Sequence, residues 1–472
     1  MRIRNMADIL LTHSNHLYND RKQVRKMQPY PPLQGLLAAA CLRREGYSVA
    51  LFDPTLESPD GFVRALERYR PRLVAVCEDN FNFLTKMCLL RNRELALWMA
   101  RTARRAGIPA VANGSDATDR AAEYLQGGFR YVIAGEVELA LTEVARFMLS
   151  GLGDERQIGS LAFLDPGSGR TERTRPLAPI RDLASLPMPA WDLLDAEPYR
   201  RAWMGAHGLF SLNLVSSRGC PYRCNWCAKP IWGDSYRCRP ARLVAAEMLE
   251  VKKRFQPDHV WFADDIFSLS QQWTHEFAAE VEALGAQIPF KMQSRCDLMN
   301  RPTVAALRRA GCEEVWMGVE SGSQLILDAM DKGTRVSHVY EARDNLRRHG
   351  IRACYFLQFG YPGETWTEIE QTVALVRETR PDDVGVSVSY PLPGTAFHRM
   401  VSDQLGPKEN WADSDDLEMM FQGAYSTEFY RALADAIHTE VRRGSAAAQN
   451  GWTLVRELKD SCARKTPLWI CC

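Results

Sequence analysis

The sequence predicts an α/β protein: a doubly wound parallel sheet, then a partial (β/α)6 barrel, then a helical C-terminal region. Three observations predict it. Short apolar runs of strand length alternate with amphipathic helical patterns from the start of the chain. The alternation stops in a stretch punctuated by proline and glycine, and then resumes near residue 210. No internal repeat or low-complexity tract interrupts either half.

Strand-like runs cover 8–11, 48–52, 73–77, 109–112 and 131–134. Between them lie helical faces, one carrying Leu33, Leu36, Leu37 and Ala40, another Val137, Leu141, Val144, Ala145 and Met148. Five such strands imply a Rossmann-like domain over residues 1–150, with ligands beyond the carboxyl ends of the strands, in the loops after Leu11, Ala112 and Ala134. Residues 151–205 carry Gly151, Gly153, Pro166, Pro176, Pro179, Pro187, Pro189 and Pro198, and read as an extended linker. Strand runs then recur at 212–216, 259–262, 290–293, 315–319, 353–359 and 384–388, so residues 206–400 form the partial barrel, with function at the carboxyl ends of its strands. Residues 401–472 hold helical patterns at 428–443 and 453–458 and no further motif.

Composition bounds the function. At 472 residues the chain can bury two or three cores. Fifty-nine lysines and arginines against 58 acidic residues offer no electrostatic attraction to nucleic acid or to an acidic membrane. No run approaches the ~20 apolar residues of a membrane span, and the first residues lack a signal-peptide pattern, so a cytoplasmic location is expected. Thirteen cysteines in a reducing compartment argue for metal ligands and small core residues rather than a disulfide framework.

The chemistry-bearing motif is Ser217-Arg-Gly-Cys220-Pro-Tyr222-Arg-Cys224-Asn-Trp226-Cys227, directly after the first barrel strand. Three thiolates on a four-iron cluster leave one iron open to an exogenous ligand, which a catalytic cluster needs. The competing reading is a structural zinc site with Cys238 as fourth thiolate, though Cys238 stands alone rather than in a second knuckle.

The Cys-x-x-x-Cys-x-x-Cys spacing, with aromatic Trp226 before the last cysteine, resembles the signature of the radical S-adenosylmethionine (radical SAM) superfamily. The resemblance implies a 4Fe–4S cluster on Cys220, Cys224 and Cys227, with S-adenosylmethionine as cosubstrate. It implies reductive cleavage to a 5′-deoxyadenosyl radical, fed by a low-potential donor of flavodoxin or ferredoxin type. The substrate class it implies is a small biosynthetic metabolite. Four strand ends match the family in turn: Asp264-Asp265 in place of the more general Gly-Gly-Glu, Ser294-Arg295, Gly318-Val-Glu320-Ser321, and Gly360-Tyr-Pro-Gly363-Glu364. These, with Trp226, are the expected contacts to the cosubstrate; each carboxylate alone reads equally well as a loop residue or helix cap. Tyr222 could supply a proton as a general acid, or simply pack the loop.

A doubly wound domain before such a barrel resembles the cobalamin-binding radical SAM enzymes, a likeness that covers most of residues 1–400. It rests on Pro29-Tyr-Pro-Pro-Leu-Gln-Gly35, on Gly135-Glu136-Val-Glu138 and on the loop Asn113-Gly114-Ser115-Asp116. That last loop keeps one glycine and lacks the histidine of the family, so two readings stay open: the domain holds cobalamin, or it keeps only the architecture. His13 and His16 follow the first strand and could approach a cobalt, but a surface or capping role is the commoner one. Cys41, Cys77 and Cys88 admit a second-cluster methylthiotransferase acting on tRNA, but core packing is the expected role. The terminal Cys471-Cys472 pair has no partners in sequence. Two radical reactions follow from the resemblance: cobalamin-dependent C-methylation, and cobalamin-free dehydration of a vicinal diol in a sugar or aminoglycoside precursor. A metal-bearing scaffold without catalysis is the third reading.

Overall fold

Strands β1 (Ile9–Thr12), β2 (Val49–Leu51), β3 (Leu73–Cys77), β4 (Ala110–Asn113) and β5 (Tyr131–Ile133) pair in parallel in the order β2-β1-β3-β4-β5. In this computed structural model, residues 6–465 are described apart from 230 and 415; the Cys471-Cys472 pair lies outside the described residues. The chain packs as two units, Met1–Cys220 with Lys229–Ala263 and Asn410–Asp415, and Pro221–Ala228 with Asp264–Glu409 and Asp416–Cys472.

In the first unit, the parallel strands read as unbroken apolar runs because both faces of the sheet are covered. β3 shows this residue by residue. Leu73, Ala75 and Cys77 enter one core with Leu42, Leu141 and Val144, while Val74 and Val76 enter the other with Phe62, Met99 and Tyr124. The alternation is the two-residue period of a strand feeding two helical layers. The helices Leu33–Arg44 and Val137–Ser150 cover the first face, and Gly61–Tyr69 and Leu90–Arg105 the second.

The sheet does not end at β5. β6 (Leu161–Leu164) and β7 (Thr171–Arg173) extend it antiparallel, with Ile133 facing Leu161 and Phe163 facing Glu172. Residues 151–205 are therefore not wholly the extended linker that the prolines and glycines suggest. The turn at Asp165-Pro-Gly-Ser-Gly169 closes a hairpin: Asp165 Oδ1 accepts from the Gly167 and Ser168 amides, and its amide bonds the Arg170 carbonyl. Turn residues spaced this closely mark a hairpin as readily as a linker.

The first unit also contains β8 (Ser211–Leu214), paired in parallel with β11 (His259–Phe262), and a short antiparallel pair, β9 (Ser217–Arg218) with β10 (Arg237–Cys238). The expected boundary near 205 thus does not separate packing units. Buried polar bonds explain why: Trp191 Nε1 donates to Glu247 on the helix Ala241–Phe255, and Trp203 Nε1 donates to the Pro29 carbonyl.

The second unit holds β12 (Phe290–Ser294), β13 (Cys312–Glu320), β14 (Arg352–Phe359) and β15 (Asp383–Val388), parallel and paired in that order. These four strands, and β8 and β11 of the first unit, are the six strand runs that the sequence assigns to a partial (β/α)6 barrel. Their connecting helices start on side-chain caps: Asn300 before Arg301–Ala310, and the Thr365–Glu368 capping box before Trp366–Thr379. The helix Thr427–Arg443, capped by Ser426, packs on β15, with Arg442 Nε donating to Asp383.

One close approach constrains the second unit. A Cβ at Gly322 would lie 2.5 Å from the Gln371 carbonyl oxygen and 2.7 Å from Thr372 Cα. Backbone cannot yield as a flexible side chain can, so Gly322→Ala is expected to cost about 1 to 3 kcal/mol. Thermal unfolding should show it as a lowered midpoint of several degrees.

Candidate active site at the cysteine loop and the strand ends

In the second unit, the loop Pro221–Ala228 is pinned from several sides. Asn225 does most of it. Its amide donates to the Met330 carbonyl (3.0 Å), its side-chain Nδ2 to the Ala329 carbonyl (2.7 Å), and its own carbonyl accepts the Phe397 amide (2.9 Å). Tyr361 Oη lies 2.9 Å from Asn225 Oδ1 and 3.0 Å from the Ala329 carbonyl. Asn225 sits between Cys224 and Trp226, so these bonds fix both neighbours. Arg295, at the carboxyl end of β12, stacks its guanidinium 3.6 Å from the centre of the Tyr222 ring and donates to the Lys332 carbonyl and to Asp297. Tyr222 thus has a packing role on Arg295. Trp226 packs with Met330, Tyr361 and Phe397, and its buried Nε1 has no hydrogen-bond partner.

The remaining strand-end residues divide into those that face inward and those that serve the fold. Asp264 is fully buried, its carbonyl accepting from Gln293 Nε2, whereas Asp265 is half-buried. Glu320 pairs with Lys332 at 2.7 Å. Ser321, expected to contact cosubstrate, spends its hydroxyl inside the fold: Oγ lies 3.2 Å from Thr372 Oγ1 and accepts the Ser323 amide. Gly360 and Gly363 take positive φ in the turn after β14, and Glu364 closes that turn by accepting the Gly360 amide. Burial pushes the Glu364 carboxyl up to about 8, so it is protonated at neutral pH.

Cysteine chemistry separates the thiols into two sets. Among the described residues, ten cysteines are free, and Cys41, Cys77, Cys88, Cys296, Cys312 and Cys354 are buried. Burial pushes Cys41 up to about 12 and Cys296 up to about 11, which suits core thiols and not thiolate ligands. Cys220, Cys224, Cys227 and Cys238 are partly exposed. Cys238 lies in β10 with its Sγ on the Arg239 carbonyl. Among the described residues no three His, Cys, Asp or Glu side chains gather round one metal-ion position. The three loop cysteines fit a larger cluster in the nature of their donors: accessible thiols in a loop whose backbone is anchored at Asn225.

In the first unit, the carboxyl end of the parallel sheet collects buried polar groups. Glu78 follows β3 and accepts from the Ser14 amide (3.0 Å) and hydroxyl (2.6 Å). Burial raises its pKa, and it pushes that of Asp79 up to about 6. Asn113 ends β4, accepting from Asn80 and donating to the Ile133 and Gly135 carbonyls. Gly114 is required by its backbone, φ 152°, and by Glu78, whose Cγ would be 2.8 Å from a Cβ there. Glu136, expected in a corrin loop, instead receives Arg218 Nη1 and Arg237 Nη1, while Glu138 receives Arg218 and Gln34. Gly135 leaves open space where a Cβ would be.

The polar chemistry of this sheet end suits a ligand rich in amide N–H groups, as cobalamin is. Gln34 Oε1, Glu78 Oε2 and Asn80 Oδ1 are buried acceptors without partners, and Ser115 Oγ is likewise unpartnered. Amide N–H groups of the kind a corrin carries would satisfy them. No histidine nitrogen is spare at His13. Its Nδ1 accepts the Asn15 amide and its Nε2 lies 3.1 Å from Asp53, which Tyr199 also bonds. Burial works against the imidazolium there, but Asp53 outweighs it and the pKa is raised. His16 Nδ1 is on the Pro54 carbonyl.

Sequence reasoning missed Asn225, Lys332, Arg218 and Glu78. Asn225 was findable, since it stands inside the cysteine motif. The others become significant only through partners 12 to 80 residues away.

Residues 214–376 match the family model of the Radical SAM superfamily. The chain therefore carries a radical SAM domain and is a radical SAM enzyme. It is 24% identical over 388 residues to an uncharacterized methyltransferase of Pyrococcus horikoshii, covering 81% of each chain. It is also 24% identical to the hopanoid C-3 methylase of Methylococcus capsulatus, covering 80% of this chain and 70% of that one. Its fold is similar to the methyltransferase TsrM of Kitasatospora setae, solved with cobalamin and a 4Fe–4S cluster (TM-score 0.69, 19% identity, 85% of this chain and 76% of that one). It is similar too to the cobalamin-dependent enzyme OxsB (TM-score 0.71, 16% identity, 91% and 66%). Among the described residues no helix is long and apolar enough to cross a membrane.

Two predictions follow from the buried charges. Glu364 has its ordinary pKa near 4.5 when unfolded and about 8 when folded, so the folded state holds the extra proton between those values. Its contribution to stability is full below pH 4.5 and is lost as pH rises towards 8. Urea unfolding at pH 5.5 and 7.5 should show a smaller fall in stability for Glu364→Gln than for the parent. Arg218→Met strands Glu136 and Glu138 with less positive charge; a loss of about 3 to 5 kcal/mol is expected in the same assay.

Proposed function

We propose that this radical SAM enzyme methylates an unactivated carbon of a small biosynthetic metabolite, with a 4Fe–4S cluster on Cys220, Cys224 and Cys227 and with cobalamin carrying the methyl group. The observation that carries the reading is the pairing of a radical SAM domain with a doubly wound sheet whose carboxyl end holds four unpartnered buried polar atoms. The relatives named as methyltransferases match about four-fifths of the chain and favour methyl transfer over diol dehydration.

When bound, the cofactors would supply the redox chemistry: an electron for the sulfonium of S-adenosylmethionine, and a nucleophilic cobalt for the methyl group. The chain supplies placement. Asn225 fixes the cysteine loop, and Arg295 holds Tyr222 against it. Asp264 and Asp265, which follow β11, would bind the cosubstrate amine. Gly114, Ser115 and Gly135, with Gln34, Glu78 and Asn80, would hold cobalamin. A low-potential donor of flavodoxin or ferredoxin type, in a reducing cytoplasm, would return the electron.

The test is anaerobic reconstitution with iron and sulfide, addition of hydroxocobalamin, desalting, and a visible spectrum beside metal analysis. About four irons and four sulfides per chain are expected, with corrin absorption retained. A variant with all three loop cysteines changed to alanine should lose the iron and keep the corrin. Cluster without corrin in the parent protein, and no transfer of an isotopically labelled methyl group, would overturn methylation and return diol dehydration to the front.

A further inference from the structure

Three groups of the second unit stand together without being explained by the cosubstrate contacts expected at the strand ends. Lys332 is buried, and its ammonium pairs with Glu320 at 2.7 Å. Glu320 takes φ 63°, a left-handed backbone conformation that is unfavourable for a residue with a side chain. The strand register slips at the same point: Gly318 faces Phe356, and Glu320, not Val319, faces Leu357. A Cβ at Gly318 would lie 2.6 Å from Lys332 Nζ and 2.7 Å from Glu320 Oε1. Strain, bulge and glycine therefore serve one result, room for a buried ammonium at one position.

That position faces the cysteine loop. Lys332 Nζ lies 5.9 Å from the centre of the Trp226 ring, between Cys224 and Cys227 in sequence. The Lys332 carbonyl holds Arg295, which covers Tyr222 on the other side of Cys224. Burial opposes the ammonium charge, but the Glu320 carboxylate paired with it holds the lysine protonated. A fixed positive charge beside thiolate ligands favours the more negative oxidation state of whatever they bind.

We propose that Lys332, held by Glu320 and given space by Gly318, is a positioning residue that raises the reduction potential of the cluster on the cysteine loop. The inference rests on the cluster assignment made above. The step it affects is the one-electron reduction of the 4Fe–4S centre from its 2+ to its 1+ state by an external low-potential reductant; no bond forms or breaks.

The experiment is a redox titration of the reconstituted full-length protein without cosubstrate, followed by electron paramagnetic resonance. The proteins compared are the parent, Lys332→Met, Lys332→Arg and Gly318→Ala, with iron content measured on each. Lys332→Met should take up the parent's iron and reduce less readily by about tenfold, a shift of about 59 mV to more negative potential for one electron. Lys332→Arg should recover most of the shift. Gly318→Ala keeps every charge but displaces the ammonium, and should move the potential the same way by less. If Lys332→Met fails to hold iron, Gly318→Ala decides by the same sign. Unchanged potentials in variants with full iron overturn the proposal. So would weakened S-adenosylmethionine binding at unchanged potential, which would make Lys332 a clamp for the cosubstrate carboxylate. Absence of iron from the parent would instead sink the cluster assignment itself.

Discussion

The anchoring of one asparagine governs the reactive part of this protein. Three thiols spread over eight residues of loop can act together only if the loop is held, because a free loop of that length samples many conformations and ordering each residue costs about 1 to 2 kcal/mol. Asn225 meets that cost locally. Its amide, side chain and carbonyl are all engaged by residues 329–330, Tyr361 and Phe397. Those partners belong to the segments that follow β13, β14 and β15, so the carboxyl ends of three strands converge on one residue of the loop. The stacking of Arg295 on Tyr222 adds the end of β12. Loop and strand ends then form one rigid object, which is the preorganisation a catalytic site needs.

The first unit solves a different problem with buried charge. Arg218, two residues before Cys220, lies between Glu136 and Glu138 and over the Trp232 ring, while Arg237 also reaches Glu136. Desolvating so many ions is costly, and the network persists because each charge has an opposite partner and further hydrogen bonds. Its effect is geometric: the strand pair leading into the cysteine loop is tied to the start of the helix Val137–Ser150. The same network accounts for a residue expected to meet a ligand, since Glu136 is occupied by two arginines. Beside it, Glu78, Asn80, Gln34 and Ser115 keep free hydrogen-bonding atoms, and these are where a bound corrin would gain most.

Local patterns in the sequence determined the two sheets, their parallel strands and the cysteine loop. Apolar runs of strand length and helical faces with 3.6-residue spacing are written in consecutive residues, and so is the Cys220–Cys227 motif. The N-terminal strands of the first sheet and most barrel strands lie within a residue or two of where those patterns put them. Tertiary structure alone decided which turn-rich stretch was a hairpin and which strand-end side chains are taken up by packing. β6 and β7 became strands because the sheet edge at β5 offered unpaired backbone groups. Ser321 and Glu136 were taken up by Thr372 and by two arginines, and Lys332 gained meaning only opposite Glu320 and Trp226. Each of these depends on a partner distant in sequence, and the cost or benefit of burying a polar group is set by that partner rather than by the residue itself.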